Sequence, residues 1–240
     1  MSTPTPRPTP APYAAGAGPA AAPRMLVVAK APVAGRVKTR LGADIGMDLA
    51  AEIAAASLLD TLVACTDAVG PDRCHLSLDG ELLDAVHGER IRRHLHGWQV
   101  TPQVGDGFDE RLVRAHADVA ATGPGPVVQV GMDTPQVTPD LLLAAAAPLA
   151  DHDGVLGPAE DGGWWVLALR DPLAAAALRG VPMSTPTTHD DTRAALVAAG
   201  LSIATTAVLR DIDTVADADA VVALVPGGRF AAAWSPEVAS

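Results

Sequence analysis

Cysteine is nearly absent from this chain of 240 residues. Cys65 and Cys74 form no C-x-x-C pair, and no histidine stands near them at the spacing of a zinc site. A structural zinc site is thereby excluded, and both thiols read as small core fillers. Basic residues are scarce as well: 17 Lys and Arg stand against 28 Asp and Glu, for a net charge of −11. Binding a duplex or an RNA backbone needs many cations that neutralise phosphates and release counterions, so a nucleic acid polymer is excluded as partner and a small anion fits better. Long apolar runs are missing too. Prolines interrupt the N-terminal segment where a secretory signal needs an unbroken apolar stretch, and no later segment reaches about 18 consecutive apolar residues. No membrane association is expected, and a cytoplasmic location follows as the expectation. The fingerprints G-x-x-x-x-G-K-[ST] and G-x-G-x-x-G are missing from the first strand–loop unit, which leaves neither a P-loop NTPase nor a dinucleotide-binding Rossmann fold with support.

What is present begins with a leader. Residues 1–24, MSTPTPRPTPAPYAAGAGPAAAPR, carry almost no large apolar side chain and cannot offset their chain entropy by burial, so disorder is expected there. With 49% hydrophobic residues, the rest suffices for one α/β domain over 25–225. Residues 226–240 read as a loosely packed tail in which Phe230 and Trp234 are able to dock back on the domain.

The sharpest local feature is LVVAKAPVAGRVKTRL, residues 26–41, where an apolar run empties into a Gly/Pro loop. Lys30, Arg36, Lys38 and Arg40 place four cations and no acid within eleven residues of an acidic protein. A strand, a turn-rich loop and then a helical pattern is how open α/β proteins hold phosphates, because backbone N–H groups, a helix N-terminus and Lys/Arg converge there. The bland alternative is a solvated basic loop.

Downstream the chain alternates in βα fashion. MLVVAK, RCHLSLD, GWQVTPQ, PVVQVGMD, DGVLGPA, WWVLALR and LSIATTAVL read as strands. Helices are predicted at Met47–Thr66, Phe108–Ala121, Pro139–Ala147 with Thr138 as N-cap, Asp171–Leu178, His189–Ala199 and Val215–Leu224 with Thr214 as N-cap. This alternation predicts a mostly parallel sheet covered on both faces, with ligands at the carboxyl ends of its strands.

Acids stand at those ends. Asp133 follows VVQVGM and precedes Thr134-Pro135, which block helix extension, while Asp211 and Asp213 flank Ile212 after AVL. An i, i+2 pair in extended backbone points both carboxylates to one side, and Mg2+ or Mn2+ takes such oxygen ligands together with water and substrate phosphate. Turn or cap roles are the structural alternatives for all three. In GPAEDGGWW, Gly162 and Gly163 permit close backbone approach, and Glu160 or Asp161 is able to bind acceptor hydroxyls or act as base. The same D-G between two apolar runs is a hairpin signal. Trp164 and Trp165 read as packing residues, and Arg111 reads either as a phosphate contact or as a surface partner of Glu110 or Asp118. His189 reads as a polar residue at a helix start, with no chemistry assigned to it.

At these residues the chain resembles the DUF2064 proteins, also called transferase 1 or glycosyltransferase A-like, of the nucleotide-diphospho-sugar transferase superfamily. The resemblance runs from residue 25 to 224. It rests on K-A-P-x-x-G-x-V-K-T-R-L at Lys30–Leu41, G-D-G-F-D-E-R-L at Gly105–Leu112 and G-M-D-T-P at Gly131–Pro135. G-P-A-x-D-G-G-W-W at Gly157–Trp165, S-T at Ser184–Thr185 and D-I-D-T at Asp211–Thr214 complete it. The first and last motifs are also similar to those of 2-phospholactate guanylyltransferase. The resemblance implies a three-layer α/β/α GT-A-like fold with a mostly parallel sheet. It implies nucleotide binding through Lys30, Gly35, Lys38, Thr39 and Arg40, and a divalent cation on Asp133 with Asp211 and Asp213. Acceptor binding then falls to Glu160, Asp161, Gly162 and Gly163, with Lys38, Asp133 and Asp161 as the catalytic candidates.

Two reactions are expected of such a site. In the first, an acceptor attacks the anomeric carbon of an NDP-sugar, with Asp161 as base. In the second, an acceptor phosphate attacks the α-phosphorus of an NTP and pyrophosphate leaves. Glycosyl transfer to a small-molecule acceptor is the leading expectation, nucleotidyl transfer the alternative, and a non-catalytic nucleotide-binding protein the third.

Overall fold

The computed structural model describes residues 22–234. The expected leader therefore lies outside the described residues up to position 21, as do residues 235–240. Seven strands form one sheet: β1 (Arg24–Lys30), β2 (Cys74–Asp79), β3 (Gln99–Pro102), β4 (Val127–Val130), β5 (Gly154–Pro158), β6 (Trp164–Leu169) and β7 (Ile203–Thr205). Their spatial order is β3-β2-β1-β4-β6-β5-β7. β6 runs antiparallel to β4 and β5, and the remaining neighbours pair in parallel. β1 and β4 are buried almost throughout because the sheet is covered on both faces, which is why both read as continuous apolar runs.

One layer consists of α2 (Met47–Val69), α3 (Gly88–His94) and α5 (Pro139–Ala146); the other holds α4 (Phe108–Ala121), a 3₁₀ helix at Pro172–Leu178 and α6 (Thr188–Ala198). Alternate residues of β1 serve the two cores, Met25, Val27 and Ala29 packing with the first layer and Leu26 and Val28 with the second. α2 is long and apolar enough to cross a membrane by length and composition, although acids and hydroxyls interrupt its apolar run. Yet 72% of its most apolar window is buried inside the protein, the pattern of a central core helix.

A third apolar cluster joins α1 (Thr39–Ile45), α2, α7 (Val215–Val222) and α8 (Arg229–Ala233). Of the segment read as a tail from Pro226, the described part is packed here. Phe230 is fully buried, and Asp60 of α2 accepts from the Arg229 and Phe230 backbone N–H groups at 3.1 and 2.9 Å. Trp234 Nε1 donates to Asp219 at 2.9 Å.

Most elements start where the sequence signals them. Thr138 Oγ1 accepts from Leu141 N at 3.2 Å, and Thr214 forms a reciprocal capping box with Asp217. The D-G turn joins β5 and β6 as a hairpin, closed by Ala159 N to the Gly163 carbonyl at 2.9 Å. Three expectations change. Asp171–Leu178 is a 3₁₀ helix with Asp171 as its cap, α1 and α3 add helices that apolar periodicity does not announce, and LSIATTAVL pairs only at Ile203–Thr205 plus one bridge at Leu209.

Candidate active site

The carboxyl ends of β1 and β4 and the segment after β7 meet on one edge of the sheet. From β1 the chain turns through a loop to Lys38, which sits in left-handed backbone (φ 47, ψ 42) and opens α1. From β4 it turns at Asp133. The Asp211–Asp213 segment is fastened to that turn twice, by Ile212 N to the Asp133 carbonyl at 3.0 Å and by Gln136 Nε2 to the Arg210 carbonyl at 2.5 Å. Ile212 anchors it from beneath, fully buried in the third cluster.

At the centre is Lys38. Its ammonium lies 2.5 Å from Asp133 Oδ1 and 3.2 Å from Asp213 Oδ1, while Arg40 reaches Asp213 Oδ2 at 3.1 Å. The Lys38 side chain is only 5% exposed. Burial alone would push its pKa down, but the two carboxylates outweigh burial and hold it above the ordinary lysine value. Among the described residues no cation forms an ion pair with Asp211. Burial, with the negative charges of Asp161 and Asp213, pushes its carboxyl up to about 6.

Of the three acids expected to hold a divalent cation, Asp133, Asp211 and Asp213 all line one cleft, and two of them meet Lys38. Among the described residues no three His, Cys, Asp or Glu side chains are grouped to hold a metal ion. Asp133 and Asp213 instead share the Lys38 ammonium, because two carboxylates at a partly buried spot need a compensating cation and Lys38 supplies it.

A two-part cleft opens around this triad. The first part, about 330 Å³, is lined by Lys30, Arg36, Lys38, Thr39 and Arg40 of the basic loop. Gly35 turns that loop with φ 74 and is not among the lining residues. The second part, about 370 Å³, is lined by Asp161, Asp211, Gly163, Trp164, Thr185 and Gln129 among others. Asp133, Asp213, Arg40, Phe108 and Ser184 border both parts. Lys30, Lys38, Thr39, Arg40, Asp133, Asp161, Asp211 and Asp213 are thus brought to one continuous cleft.

The hairpin divides its four candidates. Asp161 faces the cleft, its Oδ1 accepting from Gly163 N at 2.7 Å, and Gly163 lies beside it. Glu160 does not line the cleft: it ion-pairs with Arg210 on the neighbouring segment, because adjacent turn residues point different ways. Gly162 is a packing residue with φ 90, its carbonyl accepting from His189 N at 2.9 Å. A Cβ there would stand 2.0 Å from the Pro186 carbonyl oxygen. Gly162→Ala is therefore expected to destabilise the protein by more than about 1 kcal/mol, read as a lower urea midpoint. An unchanged midpoint would mean that the Ser184–Thr188 loop yields freely.

Arg111 pairs with neither Glu110 nor Asp118. It reaches Asp79 at the end of β2 and the Gly105 carbonyl, both at 3.2 Å. Trp164 donates to Thr192 Oγ1 at 3.2 Å and Trp165 to the Ala207 carbonyl at 2.8 Å, so both rings are fixed in the cleft wall. His189 sits in the first turn of α6 beside Asp190. Phe108, Gln103, Gln129 and Ser184 also border the cleft, although none stands out in the sequence as a site residue. Their signals are slight: an aromatic inside GDGFDE, lone glutamines in or after strands, and the serine of an S-T pair.

The family model of DUF2064, described as an uncharacterized protein conserved in bacteria, matches residues 50–185, more than half of the chain. The chain belongs to this family. The DUF2064 match contains Asp133, Asp161 and Ser184, while the basic loop and the Asp211–Asp213 segment fall on either side of it. No protein of curated function matches the sequence. Among solved structures, a protein from Desulfovibrio desulfuricans G20 proposed to be a nucleotide-diphospho-sugar transferase aligns with a TM-score of 0.74 at 25% identity, over 90% of this chain and 91% of its own. A cytidylyltransferase from Leptospira borgpetersenii serovar Hardjo-bovis aligns with a TM-score of 0.56 at 13% identity, over 88% and 92%. CMP:2-keto-3-deoxy-manno-octonic acid synthetase, solved with CTP, aligns with a TM-score of 0.50 at 14% identity, over 85% and 98%. This DUF2064 protein therefore has the α/β nucleotide-diphospho-sugar transferase fold.

Proposed function

We propose that this protein transfers a glycosyl group from an NDP-sugar to a small, uncharged acceptor. The observation that carries this reading is the division of charge along the cleft. Four basic residues of one loop line its first part, which suits the diphosphate of a nucleotide. The second part is bordered by Asp133, Asp161, Asp211 and Asp213 with Arg40 as the single cation among the described lining residues. A phosphorylated acceptor would bring its charge against Asp161 and Asp211, the two of these acids that Lys38 and Arg40 do not pair with, whereas a hydroxyl meets none of that repulsion.

In this reading Lys30, Arg36, Lys38 and Arg40 meet the donor's phosphates. Asp161, held by the Gly163 N–H, takes the proton from the acceptor hydroxyl as its oxygen bonds to the anomeric carbon. The bond from that carbon to the nucleoside diphosphate breaks, and the basic loop faces the charge that departs. Asp133 and Asp213 are hard oxygen donors at the junction and fit Mg2+ or Mn2+, ions commonly held by one or two carboxylates plus substrate phosphate. Such an ion, when bound, would add positive charge beside the leaving diphosphate. Nucleotidyl transfer is the second reading, favoured by the number of cations in the first part, which also matches a triphosphate.

A thermal-shift panel of NDP-sugars and their parent NTPs, each with and without Mg2+ or Mn2+, tests this. A ligand at about 100 times its Kd stabilises the folded state by about 2.7 kcal/mol. Metal-dependent stabilisation by an NDP-sugar above its NTP is expected. The opposite preference moves the assignment to nucleotidyl transfer, and no shift with either overturns the transferase reading.

A further inference from the structure

Asp133 and Asp213 each turn one oxygen, Oδ1, toward the same cation, the Lys38 ammonium, at 2.5 and 3.2 Å. Arg40 holds the other oxygen of Asp213 at 3.1 Å. Two carboxylates are thus matched by two cations, which leaves this pair of acids no net negative charge for a free divalent ion. Mg2+ on the same Oδ1 atoms would stand about 2.1 Å from each, in the place the ammonium fills. Displaced to one side, it would still face a like charge within about 4–6 Å. Among the described residues the ammonium has no partner besides the two acids, and Lys38 also lines the first part of the cleft beside Lys30 and Arg36. Its backbone is left-handed (φ 47) although it is not a glycine, a strain that gathers at ligand clamps and switch segments.

We propose that the Lys38 ammonium and a divalent cation exclude one another on Asp133 and Asp213, so that the ion enters only as nucleotide phosphate draws the lysine away. This rests on the transferase reading of the cleft and adds to it an order of binding. Phosphate oxygens in the first part of the cleft offer the ammonium new charged acceptors and release both Oδ1 atoms. The acids and the phosphate together then make the oxygen ligand set that hard cations take. Metal alone therefore binds weakly, and metal with nucleotide binds as one event.

Mn2+ binding to the free protein is read by electron paramagnetic resonance, since the signal of aqueous Mn2+ falls as the ion binds. Without nucleotide, Lys38→Met is expected to bind Mn2+ about tenfold or more tightly than the wild type, because the like charge beside the ion is gone. Lys38→Gln, also uncharged but able to hydrogen-bond the acids, is expected to do the same and keeps the test open if the methionine variant folds poorly. Arg36→Met removes an exposed cation of the same loop that forms no ion pair with either acid, and should change Mn2+ affinity by less than about threefold. Adding Asp133→Asn to Lys38→Met should abolish the gain. Equal Mn2+ affinity in the wild type and the Lys38 variants overturns the proposal, as does a gain that survives Asp133→Asn or that Arg36→Met matches. UDP-glucose, GDP-mannose, UTP and GTP are then added separately to the wild type with Mn2+. At least one is expected to raise water-proton relaxation above that of its Mn2+ complex without protein. Silence with all four counts against the transferase reading, whereas the Lys38 comparison, made without nucleotide, decides the exclusion by itself.

Discussion

Lys38→Met is expected to weaken nucleotide binding by about 10- to 100-fold, the loss of a hydrogen bond to a charged group, and to lower the stability of the free protein as well. The second effect follows from the geometry. The ammonium is buried, but its partners Asp133 and Asp213 are 47% and 27% exposed at the side chain, so water reaches them once the lysine is gone. The cost should therefore fall below the roughly 3–5 kcal/mol typical of breaking a fully buried pair, at about 1–3 kcal/mol. Lys38→Arg should not restore binding, because a planar guanidinium does not reproduce a compact ammonium seated between two carboxylates from a left-handed backbone position. Calorimetric titration with the nucleotide that stabilises the wild type best, beside urea unfolding, separates the two effects. Lost stability with full nucleotide affinity would reduce Lys38 to a counter-ion for the acids and remove it from the nucleotide site.

Much of this site is legible in the sequence, because strand exits announce themselves. A buried valine run ending at Asp133, followed by Thr134-Pro135, has to turn there. The basic loop contrasts with an acidic chain, and an aspartate pair around one isoleucine implies a buried anchor with two carboxylates beside it. What stays hidden is pairing through space. Lys38 meets Asp213 across 175 positions, and nothing local to either residue says that an ammonium joins the acids. Glu160 and Asp161 are indistinguishable in composition; the hairpin turns one toward Arg210 and leaves the other in the cleft. Gln129 illustrates the opposite case. One polar residue in a strand buried on both faces conflicts with its surroundings, and such conflicts gather at functional sites.

The fold reads well where packing follows period and poorly where it does not. The bounds of α4 coincide with those predicted, since its buried Leu112, Ala115 and Val119 recur at helical spacing. α1 escapes notice because it lacks a capping side chain and contains Gly42, where a Cβ would stand 2.6 Å from Met47 Sδ. α3 escapes because only Gly88 and Ile91 of its seven residues are buried, so it carries no apolar stripe. The 3₁₀ helix at Pro172–Leu178 has helical composition, and sequence period alone does not separate the two helix types over two turns. The late segment LSIATTAVL alternates like a strand, yet it lies at the sheet's edge and pairs with β5 over only three residues.

Acid should unfold this protein through His116, and replacing that residue should flatten the response. His116 lies on α4 with no exposed surface; its Nδ1–H donates to the Leu112 carbonyl at 2.9 Å, and Nε2 has no partner among the described residues. Burial, only partly offset by that carbonyl, pulls its pKa down to about 4. In the unfolded chain the imidazole takes a proton near pH 6.5, and in the folded protein only near pH 4. Between these values the unfolded state binds more protons, so stability is full above the upper value and is lost as pH falls toward the lower one. The loss attributable to His116 should reach about 2–3 kcal/mol by about pH 4.5. His116→Leu should track the wild type at about pH 7 apart from a constant offset, then overtake it by that amount on acidification. Other groups change the slope of both curves, His75 among them, since burial and Arg24 also lower its pKa. The difference between variant and wild type isolates His116. Urea unfolding at several pH values measures that difference; parallel curves would mean that the folded protein accepts a charge on His116 at no cost. The helix would then have to open a path for water to Nε2, a conclusion opposite to the one its burial supports.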